Sequence, residues 1–222
     1  MALEKRIALG GEGGQGVQSA ADILAQAAFE EGREVLYIPN FGIEQRGGVS
    51  LAFVQIGEKP IGSPKFKQAD LIVALSVRSL ERLEPYTGAE STILYDSSLL
   101  APPEVADAVV GRQVYNTHAP EAFAERQLTD QKQAIPEITT GVKHMLGLPA
   151  GEIAQNQLHP RVSNIVILGA LARLTEAVQL NSLEKALLKR LASKLERDPA
   201  LKPLNLKALR LGWETLHQQV SV

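Results

Sequence analysis

The sequence contains no cysteine. That absence removes disulfides, thiolate nucleophiles, Cys-ligated zinc and Cys-ligated iron–sulfur clusters from the chemistry the chain can supply. It also lacks a long apolar run: the longest, Ile165 to Ala172, falls far short of the ~20 residues a membrane span needs. The first residues, MALEKRIALGG, hold no apolar core ahead of a cleavage site, so no signal peptide is expected and the cytoplasm is the expected compartment. A basic excess is missing too, with Lys+Arg at 23 against Asp+Glu at 25. Bulk charge therefore argues against a nucleic-acid partner. The histidines His118, His144, His159 and His217 show no i, i+4 pairing, and Ser19 and Ser50 have no base beside them, so neither a metal site nor a nucleophile is expected.

What is present is an ordinary folding composition over 222 residues, 45% hydrophobic and 22% charged, which excludes a disordered chain. Charge is unevenly spread: residues 1–162 carry 14 basic and 20 acidic side chains, residues 163–222 carry 9 and 5. Such asymmetry marks either a docking surface or a solvated helical face.

Along the chain, Arg6–Leu9 reads as a short strand running into glycines. Val17, Ala20, Ala21, Leu24, Ala27 and Ala28 then recur at helical spacing, Gly32 is placed to stop that helix, and Val35–Ile38 follows as a strand. This predicts a βαβ unit with a right-handed crossover. Val49–Ile56 alternates as a half-buried strand, and Leu71–Leu75 is apolar throughout, as a doubly covered parallel strand should be. Ser76 can cap a short helix ending before Pro85, and Thr92–Tyr95 is a further buried strand. A strand at Gln113–Tyr115 and a helix near 120–127 are expected in a less legible stretch, with a helix starting around Pro149. Beyond it, helical periodicity covers Ile165–Leu174, Leu183–Leu195 and Leu204–Leu216. The expected fold is α/β: a three-layer α/β/α Rossmann-like sheet with a helical C-terminal part, residues 1–222 forming one domain that is helix-rich from about 149.

Two glycine clusters carry the functional signal. Gly11-Glu12-Gly13-Gly14-Gln15-Gly16 fits G-x-G-x-x-G between a strand and a helix, where bare amides can meet a phosphate. A dinucleotide site also needs an acid at the end of the second strand. That strand ends Tyr37-Ile38-Pro39-Asn40, and Glu12 puts a negative charge where a pyrophosphate would approach. The second cluster, Phe41-Gly42-Ile43-Glu44-Gln45-Arg46-Gly47-Gly48, offers more bare amides and a guanidinium able to grip phosphate or carboxylate. An Arg46–Glu44 ion pair in a structural loop is the alternative.

Together these clusters make the sequence resemble the gamma subunit, or gamma domain, of the thiamine-diphosphate-dependent 2-oxoacid:ferredoxin oxidoreductases. The likeness runs in order through Gly11–Gly16, Phe41–Gly48 (Ile43 standing where the family usually has proline), Pro60-Ile-Gly-Ser-Pro64 and Ala69–Val73. It continues through Leu148–Ala154 and Arg161–Leu171, to Asn205, Ala208 and Gly212. It is poorest over about 98–145.

The resemblance implies oxidative decarboxylation of a 2-oxoacid to an acyl-CoA, or the reverse synthase reaction, by a complex in which this chain is one necessary subunit and is inactive alone. Thiamine diphosphate, Mg2+ and iron–sulfur clusters are then expected in partner subunits, since this chain has neither Cys nor a Gly-Asp-Gly segment; coenzyme A is a co-substrate. Expected partners are the alpha and beta subunits, with a delta or ferredoxin-like subunit as a third candidate, together with ferredoxin and the small-molecule 2-oxoacid. The isolated chain is expected to self-associate, most simply as a twofold dimer, through its apolar helical stripes at 163–222 and an exposed glycine-loop cleft. No catalytic residue is assigned. The residues expected to line a coenzyme A or substrate cleft are Gly11, Gly13, Gly14, Gln15, Gly16, Gly42, Glu44, Arg46, Gly47, Gly48 and Asn164. Asn164 either caps its own helix or presents its amide to the cleft. Gln45–Gly48 with Gly62-Ser63-Pro64 favours 2-oxoglutarate as substrate. An indolepyruvate-type, pyruvate or branched-chain enzyme is the alternative, and a non-catalytic nucleotide- or CoA-binding module or a self-sufficient Rossmann dehydrogenase are rivals of other kinds.

Overall fold

The computed structural model describes residues 4–41, 48–98 and 141–220. Gly42, Glu44, Arg46 and Gly47, and the expected elements at 113–115 and 120–127, lie outside the described residues.

Six strands form one sheet: β1 (Glu4–Glu12), β2 (Glu34–Asn40), β3 (Val49–Gly57), β4 (Leu71–Ala74), β5 (Thr92–Asp96) and β6 (His144–Leu148), in the order β2-β3-β1-β4-β5-β6. β1, β4, β5 and β6 are mutually parallel, while β3 is antiparallel to both β1 and β2. The expected βαβ unit is present in split form. β1 and β2 do run the same way around helix α1 (Val17–Glu30), but β3 returns between them and pairs with each along its whole length. The reason lies in β1, whose Ile7, Ala8 and Leu9 are all buried and need a partner on both edges. β3 fills one edge and leaves Pro39, which has no amide proton to give a ladder, on an edge strand where it is tolerated.

Side-chain alternation divides the core between the two sheet faces. Ile7, Leu9, Val54, Val73 and Leu94 point into one layer, with α1 and the C-terminal helices; Ala8, Ile72, Ala74 and Ile93 point into the other, with Leu80 and Leu83 of α2 (Val77–Leu83). The alanines of α1 let it lie close on the sheet, and Gly32, with φ 77°, ends it as expected. Ser76 and Ser79 cap α2 reciprocally, each side chain taking the other's backbone N–H. β6 was not legible in the sequence. Its Gly147 is there because a Cβ would press on the Tyr95 hydroxyl of β5, at 2.8 Å.

After β6 come α3 (Ala150–Gln157), α4 (Ser163–Thr175), α5 (Leu180–Arg190), α6 (Ala192–Arg197) and α7 (Leu201–Val220). The single helix expected over Leu183–Leu195 is two, broken at Leu191; one interrupting residue leaves the apolar spacing nearly unchanged. α4 is buried almost all round. It crosses α7 backbone to backbone, since a Cβ on Gly169 would strike the Leu209 carbonyl and one on Gly212 the Val166 carbonyl. Among the described residues, the apolar stripes from 163 onward are thus largely spent in the interior. Among the described residues the large exposed hydrophobics are Phe29, Phe41 and Met145.

Candidate functional site

β1 is followed by a helix on one face of the sheet, and the neighbouring parallel strand β4 by a helix on the other: α1 packs in one layer and α2 in the opposite one. Connections after β1 lead towards β3 and β2, whereas those after β4 lead towards β5 and β6. The carboxyl ends of β1 and β4 therefore flank the topological switch point, the place where open α/β sheets form a ligand crevice. The first glycine cluster occupies it.

Gln15 ties the crevice together. Its Oε1 accepts from the Glu12 amide at 2.6 Å, and its Nε2 donates to the Leu75 carbonyl beyond β4 at 2.9 Å. A side chain on Gly11 would press on Val17 and Gln15. Gly16 caps α1 in a left-handed conformation, φ 77°, and a Cβ there would collide with the Asn164 side chain, so both backbone and packing require glycine. Gly14, also left-handed, has open space beside it. The result is a short turn of bare backbone facing outward, leading into the N-terminus of a 14-residue helix with no acidic side chain in its first turn. Such a terminus carries a partial positive charge and orphan amides.

The second glycine cluster reaches the same place. The Gly13 amide donates to the Gly48 carbonyl at 3.0 Å, and the β1–β3 register sets Glu12 opposite Val49. Antiparallel pairing thus brings Gly48, the last residue of the second cluster, to the glycine loop at one end of the sheet. Of the expected site residues, Gly11, Gly13, Gly14, Gln15, Gly16, Gly48 and Asn164 are brought together. Asn164 does not cap α4, whose N-cap is Val162. Its amide instead faces the Gly16 carbonyl at 3.5 Å, a contact more of packing than of hydrogen bonding. Gly62-Ser63-Pro64 lies elsewhere: the β3–β4 connection sits at the amino end of β1, across the sheet from the glycine loop.

Glu12, the charge that argued against a phosphate, faces Arg78 of α2. Their carboxylate and guanidinium are 3.8 Å apart, with both side chains only 13% exposed. Arg78 offsets the carboxylate inside the crevice, and sequence spacing gave no sign of it, because 66 positions separate the two residues. Among the described residues a second half-buried carboxylate at this end of the sheet is that of Asp96, the last residue of β5. It accepts from the Ser98 amide and hydroxyl and from the Gly151 amide at the start of α3. Burial raises its pKa, while the Ser98 and helix-amide hydrogen bonds pull the other way.

A dinucleotide geometry is not formed here. The carboxyl end of β2 is separated from β1 by β3, about 10 Å at two strand spacings, and it presents Asn40 where a ribose-binding acid would be needed. Among the described residues no three His, Asp or Glu side chains gather as a metal site. Among the described residues, too, no helix is long and apolar enough to cross a membrane.

Comparison with known proteins agrees with this geometry. The family model described as pyruvate ferredoxin/flavodoxin oxidoreductase matches residues 6–215. The common gamma subunit of the pyruvate/ketoisovalerate oxidoreductases of Pyrococcus abyssi is 33% identical over 180 residues, 80% of this chain and 81% of that one. The 2-oxoglutarate synthase subunit KorC of Methanocaldococcus jannaschii is 30% identical over 214 residues, 96% of this chain and 94% of its own. Among solved structures, the gamma subunit of a keto/oxoacid ferredoxin oxidoreductase from Geobacter sulfurreducens superposes with a TM-score of 0.64 at 25% identity, covering 95% of this chain and 96% of that one. The 2-oxoglutarate:ferredoxin oxidoreductase of Magnetococcus marinus, solved with 2-oxoglutarate, coenzyme A and succinyl-CoA, shares the fold over 96% of this chain and 31% of its own, with a TM-score of 0.68 at 21% identity. A chain matched by the family model over residues 6–215 and by such subunits over 80–96% of its length belongs to the pyruvate ferredoxin/flavodoxin oxidoreductase family and is a gamma-type subunit of the 2-oxoacid oxidoreductases.

Proposed function

We propose that this subunit serves a thiamine-diphosphate-dependent complex that converts 2-oxoglutarate and coenzyme A to succinyl-CoA and CO2, passing two electrons to ferredoxin, or runs the reverse synthase reaction. The observation that carries the site is the Gly13–Gly48 hydrogen bond at the β1/β4 switch point. It joins two glycine-rich segments into one bare-backbone surface beside a helix N-terminus. In this reading Gly11, Gly13, Gly14, Gln15, Gly16, Gly47, Gly48 and Asn164 shape the surface, and Gly42, Glu44 and Arg46 complete it. Arg46 holds an anionic group of coenzyme A or of the substrate. Gln15 fixes the turn rather than touching the ligand, and Arg78 keeps the Glu12 carboxylate from repelling an incoming anion.

Thiamine diphosphate with its Mg2+ supplies the decarboxylation chemistry from partner subunits, since this chain has no Gly-Asp-Gly segment, and the iron–sulfur clusters lie there too, since it has no cysteine. The whole chain acts as one gamma-type domain of a cytoplasmic hetero-oligomer. The 2-oxoglutarate choice is supported by the Gln45-Arg46-Gly47-Gly48 segment; subunits of 2-oxoglutarate and of pyruvate/ketoisovalerate enzymes match the chain over nearly its whole length at the same 30% identity. Gly62-Ser63-Pro64 adds nothing to the glycine surface, being at the other end of the sheet. Reconstitution with the partner subunits tests the assignment. The expected kcat/KM for 2-oxoglutarate exceeds those for pyruvate and 2-oxoisovalerate by roughly tenfold or more. The chain alone, given thiamine diphosphate and Mg2+, should turn nothing over. A preference for pyruvate, or turnover without partners, overturns the proposal.

A further inference from the structure

The end of the sheet away from the glycine loop carries a cleft of about 680 Å3 between the start of β1, the end of β3 and the connection from β3 to β4. Four basic side chains line it, Arg6, Lys59, Lys65 and Lys67, against the single carboxylate of Glu4, on a chain whose net charge is −2. Glu4 is engaged with Arg6 at 2.6 Å. None of the three lysines forms an ion pair among the described residues, so the cleft keeps a local positive excess.

The wall that carries the lysines is anchored. Gln55 of β3, 6% exposed, donates from Nε2 to the Ser63 carbonyl at 2.9 Å, and the Ser63 hydroxyl donates to the Lys65 carbonyl at 2.9 Å. Phe66, between Lys65 and Lys67, packs edge-on against Phe53, with ring centroids 5.8 Å apart, and lies near Tyr86. Past it, the Ala69 amide donates to Tyr86, and the Asp70 backbone and carboxylate pair with the Arg6 backbone. The lysines thus project from a connection pinned by a buried amide, an aromatic cluster and the first strand. A buried glutamine and an aromatic cluster under a solvated surface loop are more than charge display requires.

We infer that this cleft is a second ligand site, taking a small, multiply charged anion of nucleotide size such as a polyphosphate or polycarboxylate. Its volume lies in the range of small-molecule pockets. Its concavity, with Gln68 and Ser63 as polar walls, suits a compact anion better than the flat face of an acidic protein. The site is separate from the glycine surface and does not depend on the reading of that surface.

Calorimetric titration of the full chain with ATP, tripolyphosphate and citrate, at low and physiological salt, tests this. Saturable 1:1 binding of at least one probe is expected. Lys59→Gln/Lys65→Gln/Lys67→Gln, at three exposed positions, should weaken it by roughly tenfold or more with an unchanged melting temperature. Arg78→Gln, at the other end of the sheet, should leave it intact. A phosphate-bearing probe alone would identify a polyphosphate site, and citrate as well a general polyanion site. Non-saturable binding, binding of none of the three, or binding lost in Arg78→Gln but kept in the triple variant overturns the inference. So does a triple variant that loses only the binding of an acidic protein.

Discussion

Arg46 and Asp96 show how differently single residues can be read. If Arg46 grips an anionic group of coenzyme A, Arg46→Ala removes a charge-assisted contact of roughly 1.5–3 kcal/mol. The reconstituted enzyme should then lose on the order of 10- to 150-fold in kcat/KM for coenzyme A, with the melting temperature of the chain unchanged. Lys should rescue only part, because an ammonium lacks the planar fork. A lowered melting temperature with normal kinetics in the assembled enzyme would show that Arg46 pairs structurally with Glu44. Asp96 is invisible in sequence as anything but a strand-end acid; only the fold buries it under the start of α3. Its pKa is raised by that burial, so the folded state binds its proton more tightly than the unfolded chain does. The stability this group contributes is fully present below its unfolded pKa and lost as pH rises through the folded value. Carboxyl NMR should place its midpoint above the ordinary aspartate range, and a midpoint at or below that range would contradict the reading. Arg78 was missed for a related reason: it meets Glu12 only because β1 and β4 are neighbours, which no local spacing encodes.

At the scale of elements, periodicity was reliable where one element decides its own pattern. β3, β4, β5, α1, α2 and α4 stand where apolar spacing, Ser76 and Gly32 put them. It failed where partners decide. The insertion of β3 between β1 and β2 depends on which edges need covering, and β6 depends on the hydroxyl of Tyr95 making room only for glycine. The α4–α7 crossing offers an element-scale test. A methyl group on Gly212 would overlap the Val166 carbonyl, and overpacking of this kind costs about 1–3 kcal/mol. Gly212→Ala should therefore melt some 2–12 °C lower, at ~2–4 °C per kcal/mol for a chain of this size. An unchanged melting temperature would mean that the helices are free to part there.

For the whole molecule, the switch point organises what the motifs could only suggest. Gly13 and Gly48 are 35 positions apart in sequence, yet one antiparallel strand pair makes them neighbours, while the Gly62-Ser63-Pro64 motif is carried to the far end. The motif that favours 2-oxoglutarate by sequence is thus set apart from the glycine loop by the whole height of the sheet. Hydrogen–deuterium exchange on the assembled oxidoreductase, with and without coenzyme A, tests the role of that loop directly. Coenzyme A should slow exchange at the amides of residues 13–19, where the glycine turn enters α1. Unaltered exchange at 13–19 under saturating coenzyme A would contradict the central claim that the glycine surface at the β1/β4 switch point faces this ligand.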